Sequence, residues 1–280
     1  MKLVKYFLAG SLFIGSSLSA VTYEASVGAH DFIVSDIKTD GVPAHIKDGT
    51  SHTLGLNAGI LVKHTTSNNI HIFGKAEVFL DNDQDELDDD HLPIWFNYII
   101  DIDGPLYSFN ENNNLLWYIY LDNKQNTVSC IEREIRQHVG LGYSYTNGGF
   151  MLALNAYAGF YYIEIDDDTP EERGYSREDT DNGEASHVLE LETSYNFTQN
   201  LSIYADVKRY NMNMGGENLE DDFLVQINYE NANFLNENVG LHLKAQYTKY
   251  NFDHFNKEGL LPILPWDNEA LVQFYATIPF

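Results

Sequence analysis

Apolar and polar residues alternate along most of this chain with a period of two. In the last ten residues, LVQFYATIPF, one side carries Val272, Phe274, Ala276, Ile278 and Phe280, and the other carries Gln273, Tyr275 and Thr277. That period is typical of a β-strand with two different faces. Eleven further segments repeat it, at 22–29, 54–63, 70–81, 94–101, 115–121, 136–145, 152–160, 189–197, 201–208, 223–229 and 239–248. The alternation therefore predicts twelve β-strands.

The connections between these strands alternate in length. Five are short or rich in Asn and Gly, at 66–69, 103–114, 146–149, 198–200 and 231–238, and six are longer and polar, at 36–51, 81–91, 122–132, 166–186, 211–222 and 250–267. An even strand count with short turns at one rim and long loops at the other is typical of a barrel that spans a membrane. We therefore predict an all-β fold, a closed antiparallel transmembrane β-barrel of twelve strands, with ten strands as the alternative.

The N-terminus predicts export from the cytoplasm. Lys2 and Lys5 precede an apolar run from Tyr6 to Ile14, and small residues follow as far as Ala20. This order of a basic, an apolar and a small-residue region is that of a secretory signal peptide. The predicted division is a signal peptide at 1–20 and a barrel domain at 21–280.

The closing strand resembles the C-terminal assembly signal of bacterial outer-membrane β-barrel proteins. The residues that carry this resemblance are Val272, Phe274, Ile278 and the terminal aromatic Phe280. Tyr275 stands where that family often has glycine. The resemblance implies location in the bacterial outer membrane, contact with lipid and lipopolysaccharide, and recognition by the barrel-assembly machinery.

Composition narrows the function. Asp and Glu number 42 against 16 Lys and Arg, so nucleic acid is not expected as a partner, because binding phosphates requires a basic surface. The chain is also rich in rings, with 19 Tyr and 16 Phe. We expect aromatic girdles at the two membrane interfaces, formed by Tyr23, Phe32, Trp95, Phe96, Trp117, Tyr143, Tyr145, Phe150, Phe160, Tyr162, Tyr195, Phe197, Tyr229, Tyr247 and Phe274.

The non-lipid face of the strands carries charges of both signs. The predicted lumen-lining residues are Glu24, Lys63, Lys75, Glu77, Asp101, Arg136, Glu190, Glu192, Asp206, Lys208, Lys244 and Glu269. Charges inside a barrel must pair or stay hydrated. Two interpretations remain open, a lumen plugged by ion pairs and a narrow wet pore.

Two predicted loops are strongly acidic. DNDQDELDDD (81–90) contains seven acids and no Lys or Arg, and 166–184 contains nine acids. Carboxylate oxygens suit Ca²⁺ or Mg²⁺, which makes a divalent cation site conceivable at Asp81, Asp83, Asp85, Asp88 and Asp90. The simpler interpretation is a solvated outer loop. No other cofactor is expected.

The sequence favours a channel over an enzyme. The chain lacks the His-x-Ser spacing of twelve-stranded outer-membrane phospholipases, and Asp90–His91 resembles the omptin proteases only superficially. The favoured function is a narrow, porin-like channel for small solutes or cations. The alternative is a closed structural or surface-interaction barrel that resembles a solitary autotransporter β-domain, and a hydrolase is the least favoured.

Overall fold

Twelve strands account for most of the chain. The computed structural model describes residues 21–38, 49–82, 93–127, 129, 131–165, 171, 173–212, 216–234 and 237–280. The strands are β1 (Thr22–Ser35), β2 (Thr50–Thr65), β3 (His71–Asp81), β4 (Ile94–Asn110), β5 (Asn113–Gln125), β6 (Ile131–Asn147), β7 (Phe150–Ile165), β8 (Asp181–Asn196), β9 (Leu201–Met212), β10 (Asn218–Phe234), β11 (Glu237–Tyr250) and β12 (Asn268–Pro279). Two 3₁₀ turns, Arg177–Asp179 and Asp253–Phe255, lie between strands. Among these described residues no helix could cross a membrane.

The sheet closes on itself. Each strand pairs antiparallel with its neighbours in sequence, and β1 pairs with β12 from Glu24 opposite Pro279 to Ser35 opposite Asn268. The amide of Phe280 adds a last hydrogen bond, 3.0 Å from the carbonyl oxygen of Tyr23. Closure satisfies the strand backbone groups without help from water, as lipid requires. The prediction of a closed twelve-stranded antiparallel barrel is confirmed.

Glycine at position 28 of β1 leaves room for the tyrosine opposite it in the closing strand β12. Tyr275 lies opposite Gly28 across the β1–β12 pair. A Cβ atom on Gly28 would lie 2.5 Å from the Cβ of Tyr275, so only glycine leaves room there. Tyr275 itself is buried in the lumen.

The two faces of the barrel wall follow the alternation in the sequence. Outward side chains remain exposed and apolar on every part of the wall, as at Leu56, Leu154, Leu243 and Phe274. Their neighbours along the strands, such as Asn57, Asn155, Lys244 and Gln273, are buried inside. The barrel thus presents hydrocarbon outward and polar groups inward, the arrangement needed in a bilayer.

The rims differ only partly as predicted, because the strands are longer and the connections at 126–130 and 213–217 are as short as the turn at 66–70. The predicted turn at 103–114 is wrong in extent, because β4 continues to Asn110 and β5 begins at Asn113. Pro105 has no amide hydrogen to donate, and the β4–β5 pairing shifts register just after it, between Pro105 and Tyr107. The bulge lets the hairpin continue through a Gly-Pro pair that indicates a turn in sequence. Likewise the loops predicted at 122–132, 166–186, 211–222 and 231–238 are shortened by strand residues at their ends.

Candidate functional site: the barrel lumen

All twelve predicted lumen-lining residues lie on the inner face, and most are in ion pairs. Near the rim of short turns, the Nζ of Lys63 lies 2.9 Å from Glu24 Oε1. Halfway up, Lys75 lies 2.7 Å from Glu77 Oε2, and Lys208 lies 3.0 Å from Glu190 Oε1 and 3.2 Å from Asp206 Oδ2. Glu192 accepts a hydrogen bond from Asn155 Nδ2 at 2.9 Å. Asp101 and Lys244 face the central cavity, and Arg136 and Glu269 lie closer to the long loops.

A buried ion-pair cluster crosses the half of the lumen that is nearer the long loops. It consists of Asp122, Lys124, Glu134, Arg136, Glu220 and Glu269, all buried. The Arg136 guanidinium lies 3.0 Å from Asp122, 2.7 Å from Glu134 and 2.7 Å from Glu220. Lys124 lies 3.0 Å from Glu134 and 2.9 Å from Glu269. Because β6 and β10 lie on different sides of the barrel, these contacts span the lumen.

Tyrosine hydroxyls complete the cluster. Four carboxylates face only two cations there, so further donors are needed to satisfy the remaining oxygens. The Tyr161 hydroxyl lies 2.9 Å from Glu134 Oε1 and 2.8 Å from Glu220 Oε2 and donates its one hydrogen between them, and Ser129 donates to Glu269 at 2.5 Å. The cluster is therefore a rigid hydrogen-bonded layer.

An apolar layer covers this cluster on the side of the long loops. The final loop, residues 251–267, folds back into the mouth of the barrel and buries Phe252, Ile263, Leu264 and Trp266. They pack with inward residues of the wall, which include Phe32, Val34, Phe79, Trp95, Ile131, Ile163, Ile165, Val188, Tyr210 and Leu219. We call this layer the outer plug. It has the composition of a soluble protein core inside one end of a barrel.

Polar contacts hold the final loop in place. Arg173 donates to the carbonyl oxygens of Pro262 (2.9 Å) and Lys38 (2.7 Å), and Tyr175 donates to that of Leu261 (2.8 Å). Lys38 lies 2.5 Å from Asp267. Lys257 and Ser176 donate hydrogen bonds to the carboxylate of Asp179, which lowers its pKa to about 2. The final loop is thus attached to the β1–β2 and β7–β8 connections.

His254 lies on the final loop between two phenylalanine rings, with the carboxylate of Glu217 3.8 Å from its Nδ1. Its ring lies 3.7 Å from that of Phe255 and 6.3 Å from that of Phe252. Burial lowers the pKa of His254, and the nearby carboxylates of Glu217 and Glu184 only partly offset this effect. The final loop therefore holds a histidine that prefers to be neutral.

Two expectations about rings are wrong. Phe32 and Trp95 do not belong to an interface girdle, because both are buried inside the barrel. Trp95 stacks on Phe79 with ring centroids 3.6 Å apart. Trp95 is separated from the inward residues Asn97 and Asp101 by an even number of positions. Because β4 begins at Ile94, the alternation along this strand places Trp95 in the lumen.

Sequence reasoning also missed the outer plug. The final loop was expected to be polar, yet its segment LLPILPW (260–266) is almost wholly apolar. An exposed loop gains nothing from so many apolar residues. That run was the signal in the sequence that the loop is buried.

Below the ion-pair cluster the lumen is hollow. A cavity of about 480 Å³ runs from Asp122 and Gln246 down to Lys63 and Glu230. The Lys63 side chain, near the end of β2, is 46% exposed, so the cavity is in contact with solvent at the rim of short turns. A second cavity of about 20 Å³, room for a single water, lies beside the cluster. Asn97 and Gln246 border both cavities.

Charged and amide groups dominate the wall of the large cavity. Its ionisable residues are Lys63, Lys75, Asp101, Asp122, Asp206, Lys208, Asp222, Glu230, His242 and Lys244, and Asn97, Gln226, Asn228 and Gln246 add amides. Tyr120, Tyr204 and Tyr275 contribute rings. The ammonium of Lys208 lies 4.7 Å from the ring of Tyr120, and that of Lys75 lies 4.8 Å from the ring of Tyr275. Such a wall suits water and hydrophilic solutes.

Most of the proposed divalent cation site lies outside the described residues. Asp83, Asp85, Asp88 and Asp90 belong to this part of the chain. The side chain of Asp81, at the top of β3, is buried, and its Oδ1 accepts from Trp95 Nε1 at 3.1 Å and lies 2.8 Å from His30 Nε2. In the described part of the chain, no group of three or more His, Cys, Asp or Glu side chains is arranged to hold a metal ion.

The fold and the lumen together define a transmembrane β-barrel. No protein-family model matches the sequence, and no curated protein matches it. Among solved structures it is similar to the KdgM porin in complex with disordered oligogalacturonate, at 9% identity over 91% of this chain and 99% of that one, with a TM-score of 0.44.

Two further solved structures are similar to a comparable degree. The NanC porin has 6% identity over 91% of this chain and 98% of its own, with a TM-score of 0.48. OccAB3 of Acinetobacter baumannii has 10% identity over 93% and 99%, with a TM-score of 0.46. With TM-scores below 0.5, none of these likenesses bears on the solute or activity of this chain.

Proposed function

We propose that the protein is a porin-like channel of the bacterial outer membrane, seen here with its outer mouth closed. The observation that carries this proposal is the polar cavity, in contact with solvent at one end, that ends beneath a plug built largely from a loop. A barrel closed for structural reasons alone has no need of a charged cavity of about 480 Å³. A loop, unlike the strand ladder, can leave the mouth without breaking the barrel.

The open channel should prefer small cations. Asp101, Asp206, Asp222 and Glu230 match the four lysines of the cavity wall in number, since the fifth acid, Asp122, is paired with Arg136. Glu24, Glu77 and Glu190 add negative charge directly behind the lysines. A narrow polar path lined by an excess of one sign concentrates ions of the other sign.

Recordings from the full-length mature barrel in planar bilayers test this function. We expect long closures with discrete openings, and a reversal potential in a KCl gradient that favours K⁺. Asp101→Asn should reduce that preference, whereas Asp253→Asn, on the exposed part of the final loop, should leave it unchanged. Openings that prefer Cl⁻ would contradict the assignment of the lumen charges.

The plug itself favours a second candidate, a permanently closed barrel with a structural or surface-interaction role. Silence of both the native protein and a variant with a weakened plug would favour that alternative. A hydrolase is less favoured, because the observation that supports the channel is a cavity and no nucleophile takes part in that argument. Asp90 and His91, the pair that resembles omptins, lie outside the described residues.

The partners follow from the outward face and the closing strand. We propose that the apolar wall contacts outer-membrane lipid and that the long-loop rim meets lipopolysaccharide, with Ca²⁺ or Mg²⁺ bound by the acidic loops. Val272, Phe274, Ile278 and Phe280 all point outward on or beside β12. That placement leaves them accessible to the barrel-assembly machinery before insertion.

A further inference from the structure

Among the lysines that the structure describes in the lumen, one has no ion-pair or hydrogen-bond partner. Lys38, Lys63, Lys75, Lys124, Lys208 and Lys257 each lie within 4 Å of a carboxylate. Lys244, halfway along β11, forms neither an ion pair nor a hydrogen bond with any residue that the structure describes. Yet it is only 8% exposed and borders the large cavity.

The carboxylates nearest to Lys244 are committed to other donors. The charged groups around it are Lys75, Glu77, Asp222 and Asp122. Glu77 holds Lys75, and Asp122 holds Arg136. Asp222 accepts from Gln246 at 3.1 Å and from Thr248 at 2.9 Å. The Lys244 side chain therefore borders the cavity, and no protein group that the structure describes takes up its hydrogen-bonding capacity.

A buried charge without a partner is costly, and the cavity can supply one. We propose that the large cavity contains a binding site for a small monovalent anion, such as chloride, held by the Lys244 ammonium group. A single ammonium matches one negative charge. A dianion would carry an extra charge into a cavity whose walls are already acidic.

A bound anion would also change the ion preference of the channel. This part of the inference rests on the proposed function. With an anion bound, Lys244 no longer interrupts the negative wall of the cavity. The lumen would then attract cations more uniformly than its fixed side chains alone allow. The anion would act as a resident part of the wall.

Chloride binding can be measured on the full-length mature barrel in detergent by the width of the ³⁵Cl nuclear magnetic resonance line. We expect the protein to broaden the line in a saturable way. Lys244→Met should remove most of this broadening and weaken chloride affinity about tenfold, because it removes a charged hydrogen-bond donor. Lys244→Arg should retain binding. Lys249→Met, on the same strand but exposed, is the matched control and should match the native protein.

Two results would overturn the proposal. In the first, the native protein and Lys244→Met broaden the ³⁵Cl line equally and saturably, and heat-modifiable mobility in gels shows that both are folded. The other is the lack of saturable broadening by the native protein, which needs no variant. Because this assay requires no current, a failure here is distinguishable from a failure of channel function.

Discussion

Replacing Trp266 by alanine should open the outer mouth. Trp266 lies near the end of the final loop, is fully buried, and packs against Tyr250 at a ring-centroid distance of 6.2 Å. Truncating a fully buried tryptophan costs about 3–5 kcal/mol. If the Trp266 ring is exposed to water once the loop leaves the mouth, the substitution removes stabilising free energy from the closed state alone. Since each 1.4 kcal/mol is tenfold, the ratio of open to closed channels should rise about a hundredfold or more.

Open probability in planar bilayers is the measurement, and Trp117→Ala is the matched control. Trp117 lies on the outward face of β5 and covers Gly104 of β4. Its removal deletes the same side chain from the lipid-facing wall and should leave open probability unchanged. The polar contacts that Arg173 and Tyr175 make with the final loop are the same in the native protein and in the variant, so they should not mask the difference between the two. A folded Trp266→Ala barrel that gates like the native one would refute the view that this loop closes the mouth.

Three further outcomes are expected. Burial lowers the pKa of His254 below about 6.5, its value in a released loop, so the plug should weaken as pH falls from 7 to 5. Open probability should rise over that range in the native protein but not in His254→Gln, and an identical profile in both would assign the effect elsewhere. The Lys257–Asp179 contact should persist there, because the pKa of Asp179 is about 2. Leu243→Arg places a charge on the lipid face and should cost about 2–4 kcal/mol of folding free energy in bilayers, whereas Lys249→Ala should cost little. Equal refolding yields would show that Leu243 does not face lipid. Deletion of Phe280 should impair insertion in cells but permit refolding in detergent, and normal insertion in cells would remove the role of this residue in assembly.

Alternation predicted the wall of the barrel because lipid and lumen impose opposite demands on adjacent residues. Leu243 and Lys244 show this directly, one exposed outside and the other buried inside. Strand number, strand pairing and the inward set followed from that contrast. Strand length could not be predicted in this way. The Gly-Pro pair at 104–105 indicates a turn in the sequence, but in the structure a β-bulge lets the strand continue past it.

The interior was harder to predict because partners across a lumen are set by barrel closure and strand stagger. Arg136 and Glu220 are 84 positions apart, and no local spacing predicts that they meet. The plug was hidden for a different reason. A long loop between strands is expected to be solvated, but Ile263, Leu264 and Trp266 give this one the composition of a core. The sequence leaves a plug and a pore as alternatives, whereas the structure has a plugged half above a hollow half.

The lumen is sealed near the long loops by the outer plug and the ion-pair cluster, and it is hollow near the short turns. This arrangement determines where a membrane voltage falls. Ions can enter the cavity from the side of the short turns, so that half of the barrel would act as a conductor continuous with that compartment. A voltage across the membrane would then fall mainly across the thin insulating layer formed by the outer plug and the buried ion-pair cluster. The field there would be steeper than the membrane thickness alone implies. Arg136, Lys124 and their four carboxylates sit in that layer, where a small displacement of charge couples strongly to voltage.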